Sequence, residues 1–490
     1  MSDTVLHNMY PERVWYFFEE ISQIPRCSQY EEQIREYLEN FAKTNNLAYK
    51  TDQVGNIVIK KSGTRGFEGS KPIVLQGHMD MVCEKNQNIE HDFSKDPISL
   101  KVKGDWITAD NTTLGADNGI AMAFSLAILE SHEIDHGPIE ALFTVDEESG
   151  LTGALHLDPS ILDGTALINL DSEEEGILYI GCAGGVTTSG WIPIEWSPTP
   201  NDYTYHRLTI TGLRGGHSGG DIDKSRGNAI KFGTRILWNL LEKIDVRIAT
   251  INGGGKHNAI PRELFLSFIV PRAQKDNMLN IYNSIRKNIS EEYSEIEPGL
   301  QINLEETLDP PQKVLSPKAT FKTVNCLFMM PHGVDKYSHT IPGMVETSTN
   351  LAAVELLDYE VHVVTSQRSS RTSKRDNMAN RITAVLRCPG ARVSYSSIYP
   401  AWTADPDNPL VDLTRDAYKE LFGKAPQITA IHAGLECGVI GERCPNMRMI
   451  SLGPDLQDVH TPNERLNIKS VGRIWDLLLL VLRKAGQSEL

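Results

Sequence analysis

PIVLQGHMD, residues 72–80, is a short apolar run that leads into a glycine, a histidine and, two residues later, an aspartate. Three further apolar runs, at residues 139–145, 166–170 and 447–452, have the length and aliphatic content of buried strands. Acidic residues follow the first two of these runs. The carboxyl ends of strands in an open α/β sheet border the functional crevice, so these polar residues are expected to meet there. The chain is therefore predicted to be an α/β protein built on a mainly parallel sheet.

The polar residues around this crevice meet the needs of a dinuclear metal centre. Two divalent ions about 3.5–4 Å apart require a bridging carboxylate and further ligands that complete each shell. We assign Asp117, in the first turn of a helix predicted over residues 117–130, as the bridge. The terminal ligands are assigned in pairs: His78 and Asp171 to one ion, and Glu148 and His460 to the other.

Two acidic residues remain for other tasks. Asp80 lies on the same side as His78 if the strand continues that far, and it is predicted to accept the N–H of the imidazole nitrogen that does not bind the ion, which fixes the tautomer. Glu147 is predicted to be the general base, which takes a proton from the attacking water and passes it to the leaving amine. Each fragment alone is weak, because an acidic pair also suits a helix N-terminus and Asp117 also suits a turn or an N-cap. The prediction depends on their order and placement together.

The length of the chain, 490 residues, predicts two domains. A Ser28-x-x-Glu31 pattern predicts a capped helix that runs to residue 42. Composition changes after residue 184, and residues 187–398 alternate strand-like and helical runs, as an α+β domain does. Since His460 lies beyond this region, the catalytic domain is predicted to be discontinuous, with residues 1–186 and 399–490 enclosing a lid domain at 187–398.

Composition limits the classes of partner and the cellular compartment. The net charge of −16 and the pI near 5.4 argue against nucleic acid and anionic membranes as partners. Seven scattered cysteines without a C-x-x-C pair indicate free thiols in a reducing compartment. The first twenty residues lack the basic and apolar segments of a signal peptide, and no apolar run approaches the roughly 20 residues that span a bilayer. We expect a cytoplasmic enzyme.

Six segments together resemble the di-zinc aminopeptidase and carboxypeptidase family that includes aminoacylase and the dipeptidases. They are LQGHMDMV (75–82), GADNGIAMA (115–123), VDEESGLTGA (145–154), INLDSEEEG (168–176), GLRGGHSGGDI (212–222) and GPDLQDVHTPNERL (453–466). The resemblance implies the ligand roles given above, a cis peptide after Asp117, and two Zn²⁺ per chain, for which Mn²⁺ or Co²⁺ substitute in such enzymes. The activity it implies is hydrolysis of dipeptides with a free amino end, including those with C-terminal histidine such as β-alanyl-histidine.

Three residues of the predicted lid acquire roles from the same resemblance. His217 matches the histidine that helps to hold the scissile carbonyl oxygen in the transition state, Asn258 resembles an asparagine that contacts substrate, and Arg368 matches an arginine that clamps the substrate carboxylate. The insertion is about twice the size of the dimerisation domain of smaller relatives, in which the partner subunit supplies the lid histidine. A homodimer and a single chain that supplies its own histidine therefore both remain open.

Parts of the sequence also fit other functions. Within the same family, an N-acyl amino acid deacylase or an aminotripeptidase is the nearest alternative. GHSGG, residues 216–220, formally fits the G-x-S-x-G pattern of serine hydrolases, but the helical pattern expected directly after the serine begins only near residue 227. A catalytically silent metal or peptide binder is disfavoured because it has no need of Glu147 beside five ligands.

Overall fold

The chain forms two compact units in the computed structural model, which describes residues 5–488. The first unit comprises Met1–Cys182, Trp402–Ala430 and Leu435–Leu490, and the second comprises Ala183–Ala401 and Ile431–Gly434. Among residues 5–488, no helix combines the length and the apolar character needed to cross a membrane.

The α-helices are distributed over the whole described chain. They are α1 Glu12–Ser22, α2 Glu32–Thr44, α3 Ala116–Glu130, α4 Glu147–Gly150, α5 Thr152–Leu155, α6 Ala229–Leu241, α7 Lys275–Glu292, α8 Pro317–Met329, α9 Thr372–Arg387, α10 Pro409–Phe422, α11 Glu436–Arg443 and α12 Ile468–Ala485. Single 3₁₀ turns occur at Pro159–Ile161 and Arg272–Gln274.

The strands, in chain order, are β1 Ala48–Thr51, β2 Ile57–Lys61, β3 Ile73–His78, β4 Leu100–Lys103, β5 Trp106–Ala109, β6 Ile139–Thr144, β7 Ala166–Asn169, β8 Ile177–Cys182, β9 Gly184–Pro193, β10 Trp196–Pro198, β11 Tyr203–Thr211, β12 Arg247–Gly254, β13 Leu264–Pro271, β14 Gln301–Thr307, β15 Lys313–Leu315, β16 Gly333–Tyr337, β17 Val345–Leu356, β18 Glu360–Ser369, β19 Arg392–Tyr399, β20 Gln427–Ile431, β21 Arg448–Ser451, β22 Leu456–Gln457 and β23 Arg465–Asn467.

The first unit is built on an eight-stranded sheet of order β1-β2-β6-β3-β7-β21-β8-β20. Its centre, from β6 through β3 and β7 to β21, is parallel, and β1 and β2 pair antiparallel at one edge. Every residue of β3, β6 and β7 is buried, as expected for parallel strands covered on both faces. Helix α3 is buried on nearly all sides, which explains its almost uninterrupted apolar sequence. The predicted α/β class with a mainly parallel sheet is confirmed.

The register of the parallel strands brings three predicted site segments to one edge. His78 at the end of β3 pairs with Thr144 at the end of β6. Gln76 of β3 pairs with Asn169, the last residue of β7. Because Glu147 follows Thr144 by three residues and Asp171 follows Asn169 by two, the polar residues after all three strands emerge side by side.

The second unit is an α+β structure around a nine-stranded antiparallel sheet. Eight strands follow the order β14-β11-β13-β12-β17-β18-β9-β19, and β16 pairs with β17. Burial alternates along β11, because one face of the strand packs in the core and the other does not. Helices α6 and α8 pack on each other, and their apolar residues join those of the sheet in one core.

The boundaries between the units lie a few residues from the predicted ones. Strand β9 pairs with β18 from Gly184 onwards, so the chain enters the second sheet before the change in composition becomes visible. Residues 431–434 also belong to the second unit, although the prediction placed them in the catalytic domain. The N–H of Ala183 donates to the carbonyls of Ile431 and Ala433, which explains this assignment.

Two expectations about the N-terminal region are wrong. Cys27 and Cys83 form a disulfide with Cα atoms 5.7 Å apart, so not all seven cysteines are free; the other five are. The predicted capping box is also absent, although α2 begins at Glu32 near the expected position. Glu31 rather than Ser28 is the N-cap residue, so the Ser28 hydroxyl lies outside the helix and donates to Asp80 Oδ2 at 2.8 Å.

Candidate metal centre

His78 is the last residue of β3, and Asp80 fixes the orientation of its imidazole. Its Nδ1 lies 3.1 Å from Asp80 Oδ1, and both side chains are buried. An Nδ1–H that donates to Asp80 leaves Nε2 with a lone pair, the form of histidine that ligates metals. Nε2 lies 3.0 Å from Asp117 Oδ1 and 3.4 Å from Asp171 Oδ1. Acceptors on three side chains thus converge on one point.

Asp117 lies at the start of α3, where the backbone departs from helical geometry and the Asp117–Asn118 peptide is cis, as the resemblance implies. Its Oδ1 faces His78 and its Oδ2 lies 3.0 Å from His460 Nε2. The Asn118 amide ties this turn to neighbouring strand ends, since Oδ1 accepts the N–H of His78 and Nδ2 donates to the carbonyl of Leu170. The two Asp117 oxygens therefore point to two different histidines.

Glu147 and Glu148 begin the single-turn helix α4, and Asp80 holds their backbone. The N–H of Glu147 donates to Asp80 Oδ1 at 3.0 Å and that of Glu148 donates to Oδ2 at 3.2 Å. A carboxylate at a helix N-terminus satisfies N–H groups that the helix itself leaves unpaired. Asp80 therefore orients both the histidine of β3 and the glutamate pair after β6.

The predicted ligand atoms fall into two triads that share Asp117. His78, Asp117 and Asp171 form one, and Asp117, Glu148 and His460 form the other, with the atoms of each triad within 4.8 Å of one another. His460, in a turn after β22, completes the second triad, with Nε2 3.0 Å from Glu148 Oε2. Glu147 offers an oxygen within the same distance of His78 and Glu148. The structure thus brings together all seven residues that the sequence places at this site.

The charges of these groups fit divalent cations. Burial, with charge repulsion from Asp117, raises the pKa of Glu148 to about 7. Burial also raises the pKa of Asp171 to about 6, and the charge of Asp117 again adds to the increase. Burial also raises the pKa of Glu147 well above its ordinary value, with Asp171 and Glu148 adding to the effect. Buried oxygens of Glu148 (Oε1) and Asp171 (Oδ1) have no hydrogen-bond partner among residues 5–488. Positive charge at the two triads would satisfy these oxygens and keep the carboxylates ionised together at neutral pH.

The remaining three predicted residues, His217, Asn258 and Arg368, lie in the second unit. His217 Nδ1 accepts the N–H groups of Gly219 and Gly220 at 3.3 and 3.2 Å, which leaves the ring proton on Nε2. Arg368 Nη2 lies 3.5 Å from that Nε2, and the buried Arg368 Nε has no hydrogen-bond partner among the described residues. Two donor groups that face each other in this way suit an oxygen ligand.

Asn258 and Ser218 belong to the same loop. The Asn258 carbonyl accepts the N–H of Ser218, and a β-bridge joins His217 to Ala259. The Ser218 hydroxyl is buried without a hydrogen-bond partner among residues 5–488, and the next helix begins only at Ala229. This geometry does not support the serine hydrolase alternative, because no described residue acts as a base on the Ser218 hydroxyl and no helix follows Ser218 directly.

Two buried charged residues near the centre escaped the sequence analysis. Arg26 donates to main-chain carbonyls beside His78 and Asp117, and Glu464 accepts N–H groups of the segment that leads to Asp117. A third buried group, Glu436, accepts hydrogen bonds from Gln76 at 2.5 Å and Thr144 at 2.8 Å within the sheet. The one feature of the sequence that could have pointed to such a residue is the position of Glu464, four residues after the predicted ligand His460.

Comparison with known proteins identifies relatives over nearly the whole chain. Peptidase family M20/M25/M40 matches residues 74–484. The cytosol non-specific dipeptidase of Escherichia coli (strain K12) is 39% identical over 479 residues, which cover 98% of this chain and 99% of that protein.

Solved structures agree with these matches. The crystal structure of aminoacylhistidine dipeptidase from Vibrio alginolyticus has a TM-score of 0.89 at 38% identity and covers 97% of both chains. Aminopeptidase PepT from Bacillus cereus has a TM-score of 0.62 at 16% identity, with 97% of this chain and 99% of that chain covered. The second match shows a common fold alone.

Proposed function

Because this chain belongs to peptidase family M20/M25/M40, we propose that it is a metallo-dipeptidase that hydrolyses dipeptides with a free amino end, including Xaa-His dipeptides of the β-alanyl-histidine type. The observation that carries the proposal is the pair of triads that share Asp117, with Glu147 beside them. Relatives named as dipeptidases, which match end to end at 38–39% identity, support the substrate class.

The two triads would hold two divalent ions, with His78 and Asp171 on one, Glu148 and His460 on the other, and Asp117 between them. When bound, such ions polarise the scissile carbonyl and lower the pKa of a coordinated water. The chain's contribution is to hold the ligands in fixed orientations through Asp80, whose oxygens accept hydrogen bonds from the His78 ring and the Glu147 and Glu148 backbone.

Glu147 is the proposed general base. Its carboxylate lies near His78 and Glu148 but is not needed to complete either triad. Burial raises its pKa, which brings the carboxylate closer in basicity to the water it deprotonates. It takes the proton of the attacking water and delivers it to the nitrogen of the leaving amine, so that the base is regenerated in each cycle.

His217, Arg368 and Asn258 are proposed to contact the substrate. The Nε2–H of His217 would donate to the carbonyl oxygen as negative charge develops on it. The buried Arg368 guanidinium, with Nε unpartnered among the described residues, would bind the carboxylate at the C-terminal end of the dipeptide. Asn258 lies in the His217 loop, whose backbone it helps to hold.

We further propose Zn²⁺ as the resident ion, with Mn²⁺ or Co²⁺ as substitutes, because two imidazoles and three carboxylates form a nitrogen and oxygen ligand set that these ions accept. A cytoplasmic location is proposed on the same footing, supported by the relative from Escherichia coli that is called a cytosol dipeptidase.

The decisive experiment measures release of free amino acids from Xaa-His dipeptides, other dipeptides, N-acetyl amino acids and tripeptides. Enzyme stripped with a chelator is assayed before and after addition of Zn²⁺, Mn²⁺ or Co²⁺. Metal-restored cleavage confined to dipeptides is expected. Cleavage directed to N-acetyl amino acids or tripeptides would replace the substrate assignment, and activity that survives complete metal removal would overturn the dinuclear mechanism.

A further inference from the structure

Glu464 is a buried carboxylate with an uncommon set of partners. Its side chain is about 2% exposed and accepts four backbone N–H groups of one segment. Oε2 accepts from Leu114 at 2.8 Å and Gly115 at 3.0 Å, and Oε1 accepts from Ala116 at 2.8 Å and Asp117 at 3.3 Å. Four N–H groups on one carboxylate compensate for the loss of hydration on burial, as at the N-terminus of a helix.

Arg26 holds the same segment from its carbonyl side. The guanidinium is 3% exposed; Nη1 donates to the carbonyls of Met79 at 3.1 Å and Asp80 at 2.8 Å, and Nη2 donates to the carbonyl of Gly115. Glycines make room for it, since a Cβ at Gly115 or Gly119 would lie 2.6 or 2.7 Å from Nη2. Gly115 also has a φ of +68°, which glycine adopts without strain.

These two groups lock the peptide units that lead into Asp117 from both sides. Glu464 accepts the N–H groups of this segment, and Arg26 donates to the carbonyl of Gly115. Arg26 also donates to the carbonyls of Met79 and Asp80, which follow His78. Glu464 itself lies four residues after His460, so it joins the segment that carries one histidine ligand to the segment that carries the shared aspartate. A single carboxylate thereby links ligands 343 residues apart in the chain.

We propose that Glu464 is a positioning residue of the metal centre. It sets the location of Asp117 relative to His460, and Arg26 supports it by holding the same segment. The inference rests on the proposed function, in which Asp117 bridges two ions. A displaced Asp117 would weaken both triads at once, because its two oxygens serve different ions. Outer contacts that orient metal ligands typically change metal affinity by about 10- to 100-fold when they are removed.

A merely structural role for Glu464 predicts a different result, and Glu140 provides the matched control. Glu140 is likewise 2% exposed and accepts the N–H groups of Asp163 and Gly164 together with the Lys60 ammonium. It lies near the start of β6, at the opposite end of the strand from Glu147. Loss of a buried carboxylate from either place is expected to destabilise the fold, but only one place adjoins the ligands.

The experiment titrates Co²⁺ into metal-stripped wild type, Glu464→Gln and Glu140→Gln, with the visible d–d spectrum and competition with a chelator as readouts. Glu464→Gln is expected to bind at least one ion about 10- to 100-fold more weakly and to show an altered spectrum. Glu140→Gln is expected to retain the wild-type Co²⁺ affinity and spectrum, even if its urea unfolding midpoint falls as far as that of Glu464→Gln.

Wild-type affinity and spectrum in folded Glu464→Gln would overturn the positioning role while leaving the proposed function intact. Failure of the wild type itself to bind two ions would instead overturn the proposed function. Where Glu464→Gln does not fold, Arg26→Lys tests whether the hold on the same segment affects metal binding, because lysine keeps the charge but cannot reach three carbonyls with one planar fork. Unchanged Co²⁺ affinity in Arg26→Lys would then sink the proposal.

Discussion

Glu147 and Glu148 are adjacent in the chain and yet differ in their partners. Glu148 lies with His460 and Asp117, whereas Glu147 lies close to the centre without a place in either shared triad. Adjacent residues cannot face one ion equally, so the proposed function assigns Glu148 as a ligand and Glu147 as the base.

Glu147→Ala should retain two ions and lose about 10³-fold or more in kcat, since a positioned general base typically contributes 10²–10⁴-fold. Metal content by atomic emission and turnover of an Xaa-His dipeptide check this. Glu133→Ala, which removes an exposed carboxylate of the same unit, should change neither quantity. An active Glu147→Ala enzyme would remove the proposed mechanism.

His460→Ala should reduce the metal content from two ions towards one, because the second triad loses its only nitrogen ligand while His78 and Asp171 remain. Equilibrium dialysis against buffered Zn²⁺ measures the stoichiometry. Two tightly bound ions in this variant would contradict the assignment of His460 as a ligand.

His432 offers a pH-dependent contribution to stability away from the triads. It is 8% exposed, its Nε2 lies 2.7 Å from the Ser348 hydroxyl, and Nδ1 has no partner among the described residues. Burial, with the positive charge of Arg368 adding to it, lowers the pKa of His432 to about 3. The unfolded chain, with a histidine pKa near 6.5, therefore binds more protons than the folded chain between about pH 3 and 6.5.

Stability contributed by neutral His432 should be complete above about pH 6.5 and decline as the pH falls towards 3. When the pH falls from 7.5 to 4.5, the wild type should lose about 2–3 kcal/mol more free energy of unfolding than His432→Gln, because glutamine does not titrate. Urea unfolding at both pH values tests this. A difference between the two proteins that is the same at both would refute it.

Among the elements, the contact between β3 and α3 decides whether His78 and Asp117 can approach. Gly77 permits it: a Cβ at this position would lie 2.6 Å from the Cβ of Ala121 and would also strike the Asn118 side chain that accepts the His78 N–H. Helix α3 is packed on nearly all sides and has no free direction in which to retreat.

Gly77→Ala should therefore destabilise the protein by about 1–3 kcal/mol, as overpacking does, and should weaken metal binding through displacement of Asn118. Urea unfolding and Co²⁺ titration measure the two effects. Gly69→Ala is the matched control, since a Cβ there meets no atom within 4 Å. Equal behaviour of the two variants would show that the close approach is not required.

Across the whole molecule, the proposed ions would join segments from both ends of the first unit. Removal of the ions should lower the unfolding midpoint of this unit by roughly 5–10 °C, because ligand at 100 times its Kd adds about 2.7 kcal/mol to stability. Hydrogen exchange should increase around residues 114–120 and 455–462, whereas β13 of the second unit should be unaffected. Addition of Zn²⁺ should reverse the change, and an identical exchange pattern with and without metal would contradict it.

Much of the architecture follows from patterns that a single sequence displays. The apolar runs before His78, Glu147 and Asp171 correspond to β3, β6 and β7, because a strand buried on both faces has no polar position to interrupt it. The cysteine prediction failed, since pairing of Cys27 with Cys83 depends on distance in space, which spacing along the chain does not reveal.

Local patterns also proved ambiguous where a tertiary partner competed. Ser28 fits a capping box, and its hydroxyl instead bonds to Asp80, which no local pattern places nearby. Residues 431–434 lie between segments of the first unit in sequence and belong to the second, because the N–H of Ala183 binds their carbonyls.

The sequence by itself determined the fold class and the identity of the residues that could serve as ligands and base, because strand burial and metal chemistry both leave local marks in residue type. Only the tertiary structure decided that the side chains of Arg26 and Glu464 hold the backbone of the segment that leads to Asp117. The physical reason is that these two side chains bind main-chain N–H and carbonyl groups, which nearly every residue has. The partners lie far apart in the chain, so no local pattern of residue types predicts the contacts.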